Sequence, residues 1–195
     1  INMAYPKDII VEVIYTEEEL KTFAKQLGEQ ITKDYEGKYP TLVCTLKGAV
    51  PFFSELIKHV TCECEMEFIK ASSYIGNTTT TIGNVTISAV LGFPIKDRDI
   101  IIVEDIVDTG LTCKELTKYF LNLGARSVEI CTLLDKPARR TCSTFPKYIG
   151  AEIDDKFIIG YGLDYNEKYR NIPYVGVINP KYNKKKRQFK LSFNF

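Results

Sequence analysis

The first strong pattern in the chain is a set of apolar residues at helical spacing between Thr16 and about Tyr35. Thr16 with Glu19 three residues later is typical of a capping box at a helix start. Gly37 and Pro40 follow the stripe and are typical of a helix end. We therefore predict an amphipathic helix whose buried side carries Leu20, Phe23, Ala24, Leu27 and Ile31.

The pattern then changes to short apolar runs that are typical of buried strands. They cover residues 41–46, 99–103, 128–134, 157–161 and 174–178. Runs that are apolar on both faces favour a parallel sheet covered by helices on both sides. Helical patterns occur at 49–59 and at 112–123, and Gly124 is expected to end the second helix. The prediction is an α/β doubly wound fold with a mainly parallel sheet flanked by helices.

Between residues 72 and 84 lies a polar run, flanked by apolar segments at 66–69 and 85–90. It predicts either a mobile loop joining two strands or a plain surface hairpin. We expect residues 1–183 to form one domain. Residues 184–195 are expected to form a basic, flexible C-terminal tail that is solvated rather than bound to nucleic acid.

Charge and cysteine content narrow the class of function. With 26 basic and 25 acidic residues the formal charge is +1, which disfavours a nucleic-acid or membrane surface as partner. The chain shows no membrane span and no signal peptide, so a cytoplasmic location is expected. A single histidine, His59, and the absence of any CxxC disfavour a zinc site, and the cysteines read as buried thiols. The expected partners are small molecules or copies of the chain.

The stretch DIIIVEDIVDTGLT at 99–112 carries the chemistry. Adjacent Glu104 and Asp105 need hydroxyls, a cation or water as partners if they are buried. Thr109, Gly110 and Thr112 lead into a helix whose free N–H groups attract a phosphate. An ordinary strand-to-helix connection has the same generic pattern. A P-loop NTPase is excluded because GxxxxGK[ST] does not occur.

The full stretch resembles the phosphoribosyl pyrophosphate (PRPP) signature of type I phosphoribosyltransferases. Four further segments resemble the bacterial hypoxanthine-guanine branch of this family in the same order: LKGAVPF, SSY, LLDKPARR and DKFIIGYGLDYNEKYRNIPYVGV. The resemblance covers about residues 8–180, and it implies a type I fold with a small hood subdomain. It also implies purine salvage with Mg²⁺ as cofactor, PRPP and a 6-oxopurine as substrates, and a homodimer or homotetramer.

The resemblance assigns the PRPP side of the site residue by residue. Glu104 and Asp105 would bind the ribose hydroxyls and, with Asp164, lie near the metal. Lys47, Gly48 and Arg170 would bind pyrophosphate, although a turn and a surface arginine explain them equally on sequence. Ser73 and Tyr74 would begin a mobile loop that closes over the site. The 5-phosphate would be bound by Asp108, Thr109, Gly110, Leu111 and Thr112.

The purine side is assigned in the same way. Lys136 would donate to the 6-oxo group, Phe157 would stack on the base, and Ile158 and Asp164 would meet its far edge. Asp108 would be the catalytic residue that exchanges a proton with purine N7. A helix-capping role for Asp108 and a core position for Phe157 are the alternatives.

Two rival functions remain on the sequence. A phosphoribosyltransferase for adenine or a pyrimidine is disfavoured by Lys136. A nucleotide-sensing regulatory protein on the same fold is disfavoured by the balanced charge and by the lack of length for a DNA-binding domain.

Overall fold

The structure, a computed structural model, describes residues 6–72, 81–82, 85–89 and 94–183. The strands are β1 Ile10–Tyr15, β2 Thr41–Leu46, β3 Glu65–Ser72, β4 Thr81–Ile82, β5 Val85–Ala89, β6 Asp99–Val107, β7 Ser127–Asp135, β8 Tyr148–Glu152, β9 Ile158–Ile159 and β10 Val175–Ile178. The helices are α1 Glu17–Asp34, α2 Val50–Leu56, α3 Leu111–Asn122 and α4 Pro180–Asn183, with 3-10 turns at Ile57–His59 and Pro137–Arg139.

The predicted capping box starts α1. The Thr16 hydroxyl accepts a hydrogen bond from the Glu19 backbone N–H at 3.3 Å, and Glu19 Oε2 accepts from the Thr16 N–H at 2.8 Å. At the far end of α3, Gly124 adopts φ +88° and ends the helix as predicted. In the part of the chain that the structure describes, no helix has the length and apolar character to cross a membrane.

The main sheet has the strand order β4-β5-β3-β2-β6-β7-β8. The five strands β3, β2, β6, β7 and β8 run parallel to one another. At one edge β5 pairs antiparallel with β3, and β4 pairs antiparallel with β5. In the central strand β6, Ile101 and Val103 pack against the α1 and α2 side, whereas Ile100 and Ile102 pack against the α3 side. This two-sided burial confirms the predicted α/β doubly wound fold.

Two of the predicted strands lie elsewhere. The runs at 157–161 and 174–178 were assigned to the parallel sheet, and this prediction is wrong. β9 and β10 instead join β1 in a three-stranded antiparallel sheet of order β1-β10-β9. They are apolar on both faces because Ile158 and Val175 pack into the main core, whereas Ile159 and Ile178 pack into a small core of their own. This small sheet forms the hood that the resemblance implies.

The parallel strands bring the predicted site segments together. β2, β6 and β7 run in the same direction, so their carboxyl ends, at Leu46, Val107 and Asp135, meet at one edge of the sheet. The Lys136 backbone N–H donates to the Val107 carbonyl at 3.0 Å and ties the ends of β6 and β7 together. β6 runs four residues past its predicted end, so Glu104 and Asp105 lie within the strand.

Candidate active site

A cavity of about 280 Å³ opens where β2 and β6 end and α3 begins. Its wall includes many residues that were singled out from the sequence. Its lining contains Thr45, Leu46, Lys47, Gly48, Ala71, Glu104, Asp105, Ile106, Val107, Asp108, Thr109, Gly110, Thr112, Cys113 and Arg170. The carboxyl edge of a parallel sheet is where open α/β folds bind ligands.

The turn between β6 and α3 forms an anion-binding cradle. Gly110 caps the helix with φ +81°, a left-handed conformation that favours glycine. A Cβ at this position would lie 2.9 Å from Cδ of Arg140 and 3.0 Å from Sγ of Cys142. Position 110 therefore requires glycine. The first N–H groups of α3 lie beside it at the cavity, and free N–H groups at a helix start suit a phosphate.

The adjacent acids Glu104 and Asp105 line the cavity floor. Glu104 is buried, and its Oε2 bonds to the Thr45 hydroxyl at 2.6 Å. Asp105 Oδ1 accepts from the Ile106 backbone N–H at 3.0 Å. Desolvation raises the pKa of both carboxyls, and the neighbouring Asp105 charge raises the pKa of Glu104 further. These two carboxyls can accept hydrogen bonds from hydroxyl groups or bind a cation.

Gly48 brings the loop that follows β2 against this acid pair. The Leu46–Lys47 peptide before it is cis. A Cβ on Gly48 would overlap Oδ2 of Asp105, and a Cβ on Gly162 would overlap the carbonyl oxygen of Gly48. The backbone at Gly48 is therefore held between the Asp105 carboxylate and Gly162, which has φ +98°.

Positive charge lies on the open side of the cavity. Arg170 donates to the Gly162 carbonyl at 2.7 Å and pairs with Asp164 Oδ1 at 2.9 Å. Glu167 bridges both cations, at 2.7 Å from Lys47 Nζ and 3.2 Å from Arg170 Nη2. These two cations are placed where an anion could replace the Glu167 carboxylate.

Asp108 lies at the end of this wall, and its Oδ1 has no hydrogen-bond partner among the described residues. Arg139 Nε is 2.9 Å from that oxygen, at an angle that gives an ion pair without a hydrogen bond. The N-cap of α3 is Gly110, and at this helix start the Thr109 hydroxyl, not Asp108, accepts a hydrogen bond from the Leu111 backbone N–H, at 3.4 Å. The helix-capping alternative for Asp108 is therefore wrong.

The predicted purine residues lie beside this cavity and do not line it. Lys136 is only 7% exposed, and its ammonium donates to the Lys156 carbonyl and lies 3.8 Å from Asp155 Oδ1. Phe157 is 44% exposed and meets the Tyr165 ring edge to face at 5.9 Å, so the core alternative for Phe157 is wrong. A partly exposed aromatic ring, one residue after the carbonyl that the buried Lys136 ammonium contacts, suits a flat base with an acceptor oxygen.

Other predicted site residues either do not line the cavity or lie outside the described residues. The Ile158 side chain is buried, and Leu111 is 44% exposed outside the cavity lining. Ser73 and Tyr74 lie outside the described residues. Thr45, Glu167 and Arg139 were missed, because only the folded chain shows that they contact predicted site residues.

Comparisons with known proteins agree with this geometry. A family model for the phosphoribosyl transferase domain matches residues 11–166. The chain is 48% identical to a hypoxanthine-guanine phosphoribosyltransferase of Streptococcus thermophilus, covering 90% of this chain and 97% of the relative. It is 44% identical to the Bacillus subtilis protein of the same name, covering 89% and 96%.

Solved structures give the same result. A hypoxanthine phosphoribosyltransferase from Staphylococcus aureus superposes with a TM-score of 0.83 at 45% identity, covering 89% of this chain and 94% of that one. A hypoxanthine-guanine phosphoribosyltransferase from Bacillus anthracis superposes with a TM-score of 0.80 at 36% identity, covering 87% and 98%.

Proposed function

The chain belongs to the phosphoribosyl transferase domain family, and from this premise we propose that it is a purine-salvage enzyme. It transfers the 5-phosphoribosyl group of PRPP to N9 of hypoxanthine, guanine or both, giving IMP or GMP and pyrophosphate. The relatives named above are hypoxanthine-guanine and hypoxanthine phosphoribosyltransferases. The alternative of a nucleotide-sensing regulator draws no support from them.

The observation that carries the proposal is the composition of one cavity. It combines an acid pair, a helix N-terminus behind a left-handed glycine, and two cations. Glu104 and Asp105 bind the ribose 2- and 3-hydroxyls, which supply donors to carboxyls that are costly to bury alone. The 5-phosphate binds the N–H groups and hydroxyls of Asp108, Thr109, Gly110, Leu111 and Thr112.

The cationic side of the cavity receives pyrophosphate. The Gly48 backbone approaches closely, Lys47 contributes a point charge, and the planar guanidinium of Arg170 can pair with two oxygens. The buried Nε of Arg170 has no hydrogen-bond partner among the described residues, which fits a missing acceptor. Pyrophosphate displaces the Glu167 carboxylate from both cations.

Mg²⁺ is the proposed cofactor. Asp164, Glu104 and Asp105 offer hard carboxylate oxygens, and because burial raises the pKa of the acid pair, a cation would offset the cost of ionising it there. Within the described ranges no group of three or more His, Cys, Asp or Glu residues is arranged to hold a metal alone. This fits an ion that takes its other ligands from pyrophosphate oxygens and water. Bound Mg²⁺ supplies positive charge to the departing pyrophosphate.

The base binds next to Asp108. Lys136 donates to the 6-oxo group, Phe157 stacks on the ring, and the backbone of Ile158 with Asp164 meets the opposite edge. Adenine has an amino donor at position 6 and would leave the buried Lys136 ammonium opposite another donor. The site therefore selects 6-oxopurines.

In the reaction the bond from ribose C1 to the pyrophosphate oxygen breaks as a bond to purine N9 forms. The proton on purine N7 passes to Asp108, so that no positive charge stays on the base. Lys47 and Arg170 stabilise the charge that develops on pyrophosphate.

A homodimer or homotetramer is part of the proposal. Met66 and Phe68 on β3 are 54% and 41% exposed, and the Phe68 ring contacts Phe53 of α2 at 5.7 Å. A second copy could cover this apolar face. Sedimentation analysis distinguishes a dimer or tetramer from a monomer, and the double variant Met66→Lys, Phe68→Lys is expected to shift the protein toward monomer.

The acid pair offers a direct test of the site. In the double variant Glu104→Gln, Asp105→Asn the ribose contacts are lost while side-chain volume is kept. Isothermal titration with PRPP and Mg²⁺ is expected to show binding in the wild type and loss of binding in the variant, with circular dichroism unchanged. Wild-type binding strength in a folded double variant would contradict the ribose role.

A further inference from the structure

Four charged side chains form a continuous row from the end of β6 to the segment before β9. Asp108 Oδ1 lies 2.9 Å from Arg139 Nε. Arg139 Nη1 donates to Asp155, at 3.3 Å to Oδ1 and 3.5 Å to Oδ2. Asp155 Oδ1 lies 3.8 Å from Lys136 Nζ. The row therefore joins the phosphate side of the site, at Asp108, to the base side, at Lys136.

We propose that Arg139 is a positioning residue for Asp108, and that Asp155 anchors Arg139 in this role. The inference rests on the proposed function, because it concerns the proton that leaves purine N7. Arg139 touches neither base nor PRPP in this account. It acts by fixing where the Asp108 carboxylate points.

The shape of the guanidinium explains how one residue can hold another. Its nitrogens lie in one plane and can pair with two carboxylates at once. Asp155 accepts a hydrogen bond from Nη1 of Arg139 and so fixes the plane of the guanidinium. Nε of the same group then faces Asp108. A carboxylate on an otherwise free side chain rotates about its last bond, and an ion pair on one oxygen restricts this rotation.

The contact leaves Asp108 able to react. The described contact of Arg139 is with Oδ1, which is buried, whereas the Asp108 side chain as a whole is 42% exposed. The N7 proton can therefore move to the other carboxylate oxygen, Oδ2, while the bond from C1 to pyrophosphate breaks and the bond from C1 to N9 forms. Proton transfer depends steeply on such geometry, so a loss of orientation slows the chemical step.

A purely structural role fits Arg139 poorly. The Arg139 side chain is 47% exposed. The side chains of its partners Asp108 and Asp155 are 42% and 53% exposed. Exposed ion pairs contribute little to folding. The next residue, Arg140, is different: its side chain is buried and pairs with the buried Asp135 under the phosphate turn. Arg140 therefore has a buried acid as its partner, whereas both ion pairs of Arg139 lie at the surface.

The test compares Arg139→Ala and Arg139→Lys with the wild type. The single-turnover rate of IMP formation, measured at saturating PRPP, Mg²⁺ and hypoxanthine, reports the chemical step without product release. We expect Arg139→Ala to lower this rate about tenfold, with the Kd for PRPP changed less than about twofold. Arg139→Lys should recover part of the rate, because an ammonium can pair with Asp108 but cannot bridge in one plane to Asp155. Arg126→Ala is the control, since Arg126 pairs with Asp99 at the opposite edge of the sheet.

A double-mutant cycle decides whether Arg139 acts through Asp108. In an Asp108→Asn background, Arg139→Ala is expected to cause no further loss of rate. An equal loss in both backgrounds, an unchanged rate in Arg139→Ala, or a loss confined to PRPP affinity would each overturn the inference. Absence of IMP with the wild-type protein would refute the proposed function itself, so the two failures are distinguishable.

Discussion

Gly48 shows how one residue sets the geometry of the cavity. Any Cβ there overlaps the Asp105 carboxylate, so Gly48→Ala must push the loop, the acid or both away. We expect kcat/KM for PRPP to fall about 100-fold, since displacements of about 1 Å have effects of this size. Steady-state kinetics at varied PRPP measure the change.

Gly37→Ala is the control for this substitution. Gly37 has a positive φ, +69°, and no atom lies within 4 Å of its added Cβ. This variant is expected to lose only about 1 kcal/mol of stability from backbone strain and to keep its kcat/KM. Equal kinetic losses in the two variants would show that the loss at Gly48 is not specific to the site.

Lys136 tests the choice of base. Lys136→Met keeps the length of this buried side chain and removes the donor to the 6-oxo group. We expect KM for hypoxanthine to rise about 5- to 150-fold, which corresponds to the cost of about 1–3 kcal/mol for an unpaired buried acceptor, while PRPP binding stays unchanged. Lys156→Met is the control, because the Lys156 ammonium pairs with Glu12 at the surface, at 2.8 Å. Similar hypoxanthine kinetics in wild type and Lys136→Met would remove Lys136 from the base site.

The acid pair predicts a dependence of stability on pH. Burial raises the pKa of Glu104 and Asp105 in the folded state above their ordinary values near 4. As pH rises above about 4, the unfolded chain loses these protons first, so the folded state without ligand loses stability until its own raised pKa values are passed. Urea unfolding at several pH values should therefore show the wild type losing stability with rising pH more steeply than Glu104→Gln. A steeper loss in the variant would contradict the raised pKa.

At the scale of elements, α1 depends on its capping box. Hydrogen bonds from the Thr16 N–H and hydroxyl hold the Glu19 carboxylate at the helix start and lower its pKa. Thr16→Ala is expected to cost about 1 kcal/mol, or about 2–4 °C in Tm, without loss of turnover. Thr22→Ala, on the exposed face of the same helix, is the control and should melt close to the wild type. Differential scanning calorimetry measures both, and equal Tm values for Thr16→Ala and the wild type would show that the cap contributes nothing.

The elements that could be predicted are those whose signals are local. The α1 stripe, the glycine stop at Gly124 and the buried run of β2 are read from neighbouring residues, and the structure agrees with them. β1 and β8 were missed. β1 is an irregular edge strand with half its residues exposed, and its pairing with β10 joins residues that are 160 to 168 positions apart. No local pattern carries that information.

At the scale of the whole molecule, the two sheets share one core. Ile158 and Val175 of the small sheet pack in the same cluster as Leu42 and Ile101 of the main sheet. This supports the proposal that residues 1–183 form one domain. The basic tail proposed for residues 184–195 lies outside the described residues.

The arrangement of the whole sheet explains which site residues could be predicted. The stretch from Glu104 to Gly110 was identified because it ends a buried strand of the parallel sheet, whereas Lys47 was assigned by the resemblance alone, and these residues line one cavity. The pairing of Arg139 with Asp108 and of Glu167 with Lys47 depends on the hood and the 3-10 turn after β7. Such contacts between distant segments are absent from any sequence pattern.

The most direct test mixes the protein with PRPP, Mg²⁺ and, in separate reactions, hypoxanthine, guanine, xanthine, adenine and orotate. Nucleotide formation is followed by chromatography, with and without a metal chelator. We predict that only 6-oxopurines yield nucleotide and that the chelator abolishes the reaction. Nucleotide from adenine or orotate, or no product with any base despite measurable PRPP binding, would contradict the proposed function.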